Sequence, residues 1–332
     1  MIQIRRDLTN PGVLAVAGTV AALLLVVVVL GHEGLPFKRP LLAGTSFSYQ
    51  LSAQLLQVAW GLLLLIPIYL VTRRRSVPRL SDRAPATSIA RVETLGMIVY
   101  GLAGQGVGLV LGKALGLHPI TLHLPGTIYG LSGTVTYGEV FLWVVYNFAV
   151  YAAVPYMFFR SRGYSNEQLN LKSNDRRQDL LLIVVVLILQ VSFDFVTAPA
   201  IFRLSLTQLL IGAPLAFVTY SLGTVVPIMI FVYAILLPRY MRITGSISIT
   251  VLLGGLTYAA MHLFDAWALY DSFRDVALSL AVIGLQYTPF GMVKSFLTIR
   301  TANAWVHAIA YHAIAPHVTI DTVNVVRIFG IR

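Results

Sequence analysis

Long apolar runs alternate with short polar segments along the whole chain. A transmembrane helix needs about 20 mainly apolar residues, and nine runs of the chain are candidates. The sixth, 209–237, and the ninth, 302–320, are irregular. The sixth carries Pro214 and Pro227, which predicts either a kink or a short in-plane piece followed by a span. The pattern as a whole predicts an all-α transmembrane bundle of eight or nine spans. The candidate spans are 13–31, 51–72, 94–117, 138–159, 180–200, 209–237, 246–264, 276–299 and 302–320.

Composition agrees with a membrane protein. Of the 332 residues, 57% are hydrophobic and 11% are charged, and the mean hydropathy is +0.79, whereas a soluble domain carries about 25% charged residues. The chain has no cysteine, which excludes disulfides, thiolate metal sites and cysteine nucleophiles. The net charge of +11 reflects an excess of basic residues, and in membrane proteins such an excess is typical of the cytoplasmic loops. We therefore expect the lipid bilayer, and no nucleic acid, as a partner.

The basic residues predict the orientation in the cell membrane. With a cytoplasmic N-terminus, the segments on that side hold 16 Lys and Arg residues, against 6 on the opposite side. This bias is the positive-inside pattern. The most polar stretch of the chain, 160–179, divides it in two. We predict a four-span region over 1–159, a basic cytoplasmic linker over 160–179, a helical domain over 180–320 and a tail over 321–332.

Ionisable side chains inside the predicted spans are costly and are therefore candidate functional groups. Asp194 lies near the outer end of the fifth span, where it could instead hydrogen-bond a neighbouring helix. Lys294 lies in the eighth span, and its stem could reach the cytoplasmic surface. Asp265 follows His262 by three residues, so its carboxylate could hydrogen-bond that imidazole or cap the helix end. We expect His123 in a solvated external loop.

Three histidines in the last apolar run, His307, His312 and His317, are spaced by five residues. In an α-helix, successive members of such a series point about 140° apart. At most one of them would share an interior with His262, unless the helix breaks near Pro316. The chain also has no glutamate from residue 168 onward, so a metal-dependent hydrolase centred there would need aspartates for proton transfer.

Three stretches of the C-terminal half occur in a distinctive order, and together they resemble a known family. They are ILLPRYMRITGS at 235–246, ITVLLGGLTYAAMHLF at 249–264 and PFGMVKSFLTIRTANAWVHAIAYHAIAPH at 289–317. From about residue 209 to 317 the chain resembles the CPBP family, the CAAX-protease and bacteriocin-processing intramembrane metalloproteases. The resemblance implies Tyr258 and His262 as the aromatic-x-x-x-His pair, and His312 as the second histidine of a shared cavity. Pro316 stands where the family has asparagine or aspartate.

The paired glutamates of the family fall on Ile228 and Met229, and its Arg-Gly falls on Tyr233 and Ala234. Apolar side chains can neither ligate Zn²⁺ nor transfer a proton. The resemblance therefore implies a domain without its proteolytic residues and without a cofactor, which binds or scaffolds a membrane peptide, lipid or partner protein.

Three alternatives remain at this point. The first is an active intramembrane metalloendopeptidase with Zn²⁺ held by His262 and His312 and with displaced acids, Asp194 or Asp265. The second is a transporter that uses Asp194 and Lys294 as coupling groups. The third is a structural subunit of a larger membrane complex.

Overall fold

The computed structural model describes residues 11–35, 37, 44–76, 78–125 and 135–332, and all regular secondary structure in these ranges is helical. Four basic residues used in the charge count, Arg5, Arg6, Lys38 and Arg39, lie outside the described residues. Seven helices are long and apolar enough to cross a membrane. They are α1 (Pro11–Gly31), α2 (Phe47–Thr72), α3 (Thr87–Ala114), α4 (Tyr137–Ser161), α5 (Arg176–Thr197), α6 (Leu206–Thr244) and α8 (Phe273–Thr301).

The remaining two predicted spans correspond to shorter helices. Helix α7 (Ile247–Ala260) has 14 residues, which is about 21 Å and less than the about 30 Å of a hydrocarbon core. Helix α9 spans 304–319 and consists of three pieces, Ala304–His307, Ala308–Ala313 and Ala315–Thr319. The described residues therefore contain seven helices of spanning length and not eight or nine.

Helix α6 is one continuous helix of 39 residues. Ser205 begins it with a capping box, in which its hydroxyl accepts from the Gln208 N–H and the Gln208 side chain accepts from the Ser205 N–H. Gly245 ends it at φ 63°, a left-handed conformation that glycine adopts without strain. Two π-helical segments, Ser221–Val225 and Met229–Leu236, lie within it. Pro227 lies between these two segments, whereas Pro214 lies within an α-helical stretch. The helix continues through both prolines and is not divided into two separate pieces.

Glycines at four-residue intervals on α3 bring the segment 118–125 onto that helix. A Cβ at Gly108 would lie 2.4 Å from the Ile120 carbonyl oxygen, and one at Gly112 would lie 2.4 Å from the His118 carbonyl oxygen. Residues four apart share one helix face, and small residues there permit close backbone approach. The segment 118–125 is therefore packed on the bundle.

The segments that were predicted to be cytoplasmic meet at one end of the bundle. The Arg75 guanidinium lies 2.6 Å from Asp179 Oδ1, and Arg83 donates to Asn170 Oδ1 at 2.8 Å and to the Ala302 carbonyl at 2.6 Å. Segment 160–179 therefore contributes directly to the packing of this end. The two predicted halves also share one apolar core, in which Val27 and Met97 join Phe231 and Val282.

Candidate functional site

A cavity of about 560 Å³ lies between α2, α5, α8 and α9. Its wall combines aromatic and ionisable side chains, and its mouth includes the exposed apolar residues Leu56 (51% exposed) and Val196 (82%). Most of the polar residues named from the sequence line it, but His262 and Asp265 do not. The predicted residues in the wall are Asp194, Tyr258, Lys294, His312 and Pro316.

Lys294 points into this cavity and does not reach the cytoplasmic surface. The residue is 2% exposed, and its Nζ lies 3.6 Å from the centroid of the Tyr258 ring, which is a cation–π distance. The route toward the surface is closed because Leu297 and Thr298, one turn further along α8, are fully buried. The expectation of a snorkelling lysine is therefore wrong.

Asp194 is buried in the cavity wall on α5, and both of its carboxylate oxygens accept a hydrogen bond. Its Oδ1 accepts from Gln190 Nε2 at 2.8 Å, and its Oδ2 accepts from Thr319 Oγ1 at 3.2 Å. The second bond joins α5 to α9, which is the neighbouring-helix role considered for this residue.

Asp265 joins a second group of buried polar side chains next to the cavity. Its Oδ2 lies 3.1 Å from His262 Nδ1, 3.0 Å from His123 Nδ1 and 2.9 Å from the Tyr287 hydroxyl, while its Oδ1 is buried without a partner. The Tyr287 ring stacks on His262 with centroids 3.7 Å apart, which separates His262 from the cavity. The carboxylate thus binds imidazoles, and it does not cap the end of α7.

The charge state of Asp265 follows from these contacts. Burial alone would raise the pKa of its carboxyl, but the imidazoles of His262 and His123 and their hydrogen bonds hold that pKa below its usual range. The carboxylate is therefore an ionised acceptor at neutral pH.

His123 occupies a place that the sequence did not predict. It is 6% exposed and lies in the wall of the cavity, so the expectation of a solvated loop is wrong. Its segment is held by side-chain donors, because Trp143 Nε1 and Asn147 Nδ2 donate to the Thr121 carbonyl at 2.9 and 3.1 Å. A signal was present in the sequence: apolar residues alternate through Ile120, Leu122 and Leu124, which is the pattern of a half-buried extended segment.

The three histidines of α9 are all buried, and two of them line the cavity together. Their backbone is π-helical over Ala308–Ala313, turns at Ile314 and is α-helical over Ala315–Thr319. In a π-helix the N–H of a residue bonds to the carbonyl five residues earlier, so residues five apart lie about one turn apart. The ring centroids of His307 and His312, which the π-helical segment separates, are 6.5 Å apart, and those of His312 and His317, on either side of Ile314, are 5.2 Å apart. The helix therefore breaks near Pro316, which is the condition under which more than one of these histidines was expected to face one interior.

His317 forms a carboxylate pair that the sequence reading overlooked. Its Nδ1 lies 2.8 Å from Asp321 Oδ2, four residues later, and the Tyr220 ring stacks on its imidazole at 4.5 Å. The sequence HVTID at 317–321 has the His-x-x-x-Asp spacing of the resemblance, whereas His312 is followed by Pro316. His317 therefore has a carboxylate partner four residues later, and His312 does not.

The positions aligned with the family's glutamates belong to the apolar core. Ile228, Met229 and Tyr233 are fully buried, and none of them lines the cavity. Tyr233 packs against His307, with ring centroids 4.2 Å apart, and its hydroxyl donates to the Gly291 carbonyl at 3.4 Å.

Zn²⁺ is required only by the metalloendopeptidase alternative. Within the described ranges, one set of three metal-binding side chains has ligand atoms within 4.8 Å of one another: His123, His262 and Asp265. Two imidazoles and a carboxylate are a ligand set that Zn²⁺ accepts. His312, the second ligand expected from the sequence, is not part of this set. The set His123, His262 and Asp265 thus fits a Zn²⁺ ion, but at a different place from the predicted site between His262 and His312.

Comparison of the sequence with models of known families and with curated proteins, and of the fold with solved structures, found no significant match. Function is therefore inferred from the geometry of the cavity and of the side chains around it.

Proposed function

We propose that this chain is a multi-pass protein of the cell membrane, with a cytoplasmic N-terminus, whose CPBP-like helical domain binds an amphipathic membrane ligand without cleaving it. The observation that carries the proposal is the cavity of about 560 Å³. A cavity of this size suits a small ligand or one chain of a lipid. Its exposed lining includes the large apolar side chains of Leu56 and Val196, while its buried lining includes Asp194, Lys294 and His312.

The arrangement of ionisable groups supports binding over hydrolysis. Peptide hydrolysis needs a carboxylate that takes a proton from water and passes it on. Asp194, a carboxylate in the cavity wall, already accepts hydrogen bonds on both oxygens. Ile228 and Met229, which replace the family's glutamates, are buried in the core.

The grouping of basic segments supports the proposed orientation. Arg75, Arg83 and Arg300 all contact partners at the same end of the bundle, and Arg300 Nε donates to Thr72 Oγ1 at 2.8 Å. Segments that share this end also share the predicted cytoplasmic side. The positive-inside rule favours that end for the cytoplasm.

Filling the mouth of the cavity will reduce ligand occupancy. We expect Ala53→Trp to lower the lipid that co-purifies with the full-length protein by at least about tenfold, because an indole would occupy the space between α2 and α5. Native mass spectrometry of the protein released from detergent measures this occupancy. Ala103→Trp, on the exposed face of α3, is the matched control and retains wild-type occupancy. Equal occupancy in Ala53→Trp and the wild type would reject the cavity as the binding site.

A second candidate function, a metal-dependent membrane hydrolase, is favoured by the set His123, His262 and Asp265. Zn²⁺ at this set would supply an activated water. This candidate predicts one Zn²⁺ per chain in protein purified without chelator, and loss of that ion in His123→Gln. His32→Gln, at an exposed histidine, retains it. Elemental analysis by mass spectrometry measures the zinc content, and a purified protein without stoichiometric zinc would reject this candidate function.

A further inference from the structure

Lys294 is the basic group of the cavity wall. Its amine is held over the Tyr258 ring at 3.6 Å, and no hydrogen bond or ion pair to a described residue reaches it. Buried amines normally have an acidic or hydrogen-bonding partner, because removal of a charge from water is costly unless an anion compensates it. The cavity thus offers a buried amine that has no acidic partner in the described wall.

The acidic side chains near the cavity form hydrogen bonds with residues other than Lys294. Asp194 accepts from Gln190 and Thr319, Asp265 accepts from two imidazoles and a phenol, and Asp321 pairs with His317. None of these carboxylates lies within ion-pair distance of Lys294. An acidic group that pairs with the amine therefore has to come from outside the described part of the chain.

A hydrogen-bonding group lies on the same wall as the amine. His312 is buried and lines the cavity, and its Nδ1 has no hydrogen-bond partner. An imidazole nitrogen can donate to an acid oxygen in the appropriate tautomer. Lys294 and His312 thus form a buried polar part of the cavity wall, whereas Leu56 and Val196 form an apolar part that is exposed.

We propose that the cavity selects anionic amphiphiles, with the acid group of the ligand on Lys294 and its apolar chain toward the mouth. A fatty-acid carboxylate and a phospholipid phosphate share this chemistry. The assignment rests on the proposed function of the cavity as a binding site, and it names the ligand class for that site.

The test compares an acid with a neutral ligand of the same shape. The probes are an 11-carbon fatty acid with a dansyl group at its far end and the corresponding alcohol, added to full-length protein in neutral detergent. We expect the wild type to bind the acid more tightly than the alcohol. Lys294→Met will weaken binding of the acid by at least about 30-fold and leave binding of the alcohol unchanged. Lys113→Met, the same substitution on the exposed end of α3, keeps the preference for the acid.

Two further arms identify the source of the anion. Displacement of the probe by laurate and not by dioctanoyl phosphatidic acid assigns a fatty acid, and the reverse result assigns a phospholipid; dioctanoylglycerol is the neutral control. Equal binding of acid and alcohol by the wild type overturns the inference, and this comparison does not depend on the folding of any variant. Retention of the preference in folded Lys294→Met also overturns it. Failure of the proposed function itself is distinguishable, because Ala53→Trp would then bind both probes as the wild type does.

Discussion

Arg239→Met will destabilise the protein by about 3–5 kcal/mol, because it leaves a buried carboxylate without its cation. Arg239 is fully buried, and its Nη2 and Nε lie 2.7 and 2.8 Å from Glu93 Oε2. Its Nη1 also donates to the Ile235 carbonyl at 2.6 Å, one turn earlier on α6. The substitution therefore breaks a link between α3 and α6 and removes a buried donor from both acceptors.

Aromatic side chains complete the surroundings of Arg239. Its guanidinium lies 4.4 Å from the centroid of the Phe159 ring and 5.0 Å from that of Tyr164, and the Tyr164 hydroxyl donates to Glu93 at 2.9 Å. A planar guanidinium stacks its flat face on aromatic rings and presents its donors in a rigid fork, whereas an ammonium carries all its donors on one nitrogen. We therefore expect Arg239→Lys to recover only part of the loss.

The free energy of unfolding in mixed detergent micelles measures these effects, and Arg162→Met is the control. Arg162 is a second basic neighbour of Glu93, at 3.8 Å, but its side chain is 52% exposed. Exposed pairs contribute less than about 1 kcal/mol. Similar losses of unfolding free energy in Arg239→Met and Arg162→Met would contradict the prediction, because the exposed pair would then contribute as much as the buried one.

Gly108→Ala will destabilise the protein by about 1–3 kcal/mol, because the new methyl group meets rigid backbone. Its Cβ would lie 2.4 Å from the Ile120 carbonyl oxygen, so segment 118–125 has to move away from α3. His123 lies in that segment, and its contact with Asp265 would be displaced as well. The substitution thus acts on the candidate site from a distance.

Gly106→Ala provides the opposite result on the same helix. No atom lies within 4 Å of a Cβ at Gly106, so alanine there should stabilise α3 by about 0.5–1 kcal/mol through its higher helix propensity. A single reporter cysteine, Leu122→Cys, can be added to each variant because the chain has none of its own. Faster maleimide labelling of this buried position in Gly108→Ala than in Gly106→Ala is expected. Equal labelling would contradict the proposed contact.

Hydropathy predicted the long helices because burial in lipid requires about 20 apolar residues, whatever the neighbouring elements are. The same criterion overestimated the count of spans, since it does not detect that 302–320 breaks at Ile314. Lys294 and His123 were misplaced because their surroundings come from distant segments: Tyr258 on α7 encloses the lysine, and the glycines of α3 bury the histidine.

Local spacing was informative for residues that are close along the chain. The three-residue separation of His262 and Asp265 predicted their contact at 3.1 Å, although both residues follow the end of α7. The five-residue separation of His312 and His317 was interpreted with the geometry of one continuous α-helix, whereas the chain passes from a π-helical to an α-helical piece between them. The His317–Asp321 pair was available from spacing alone, but the register taken from the resemblance passed over it.

The π-helical turn in α9 makes the candidate cavity tolerant of a change in chain length. A π-helical turn holds one residue more than the α-helical turn it replaces. Removal of a single residue from this turn, such as Ala308, would restore α-helical winding and leave the residues after the turn on the faces they hold now. In a helix that is α-helical throughout, the same deletion would rotate everything after it by about 100°. A divergent copy of this chain could therefore lose one codon here and still keep the His317–Asp321 pair in its place.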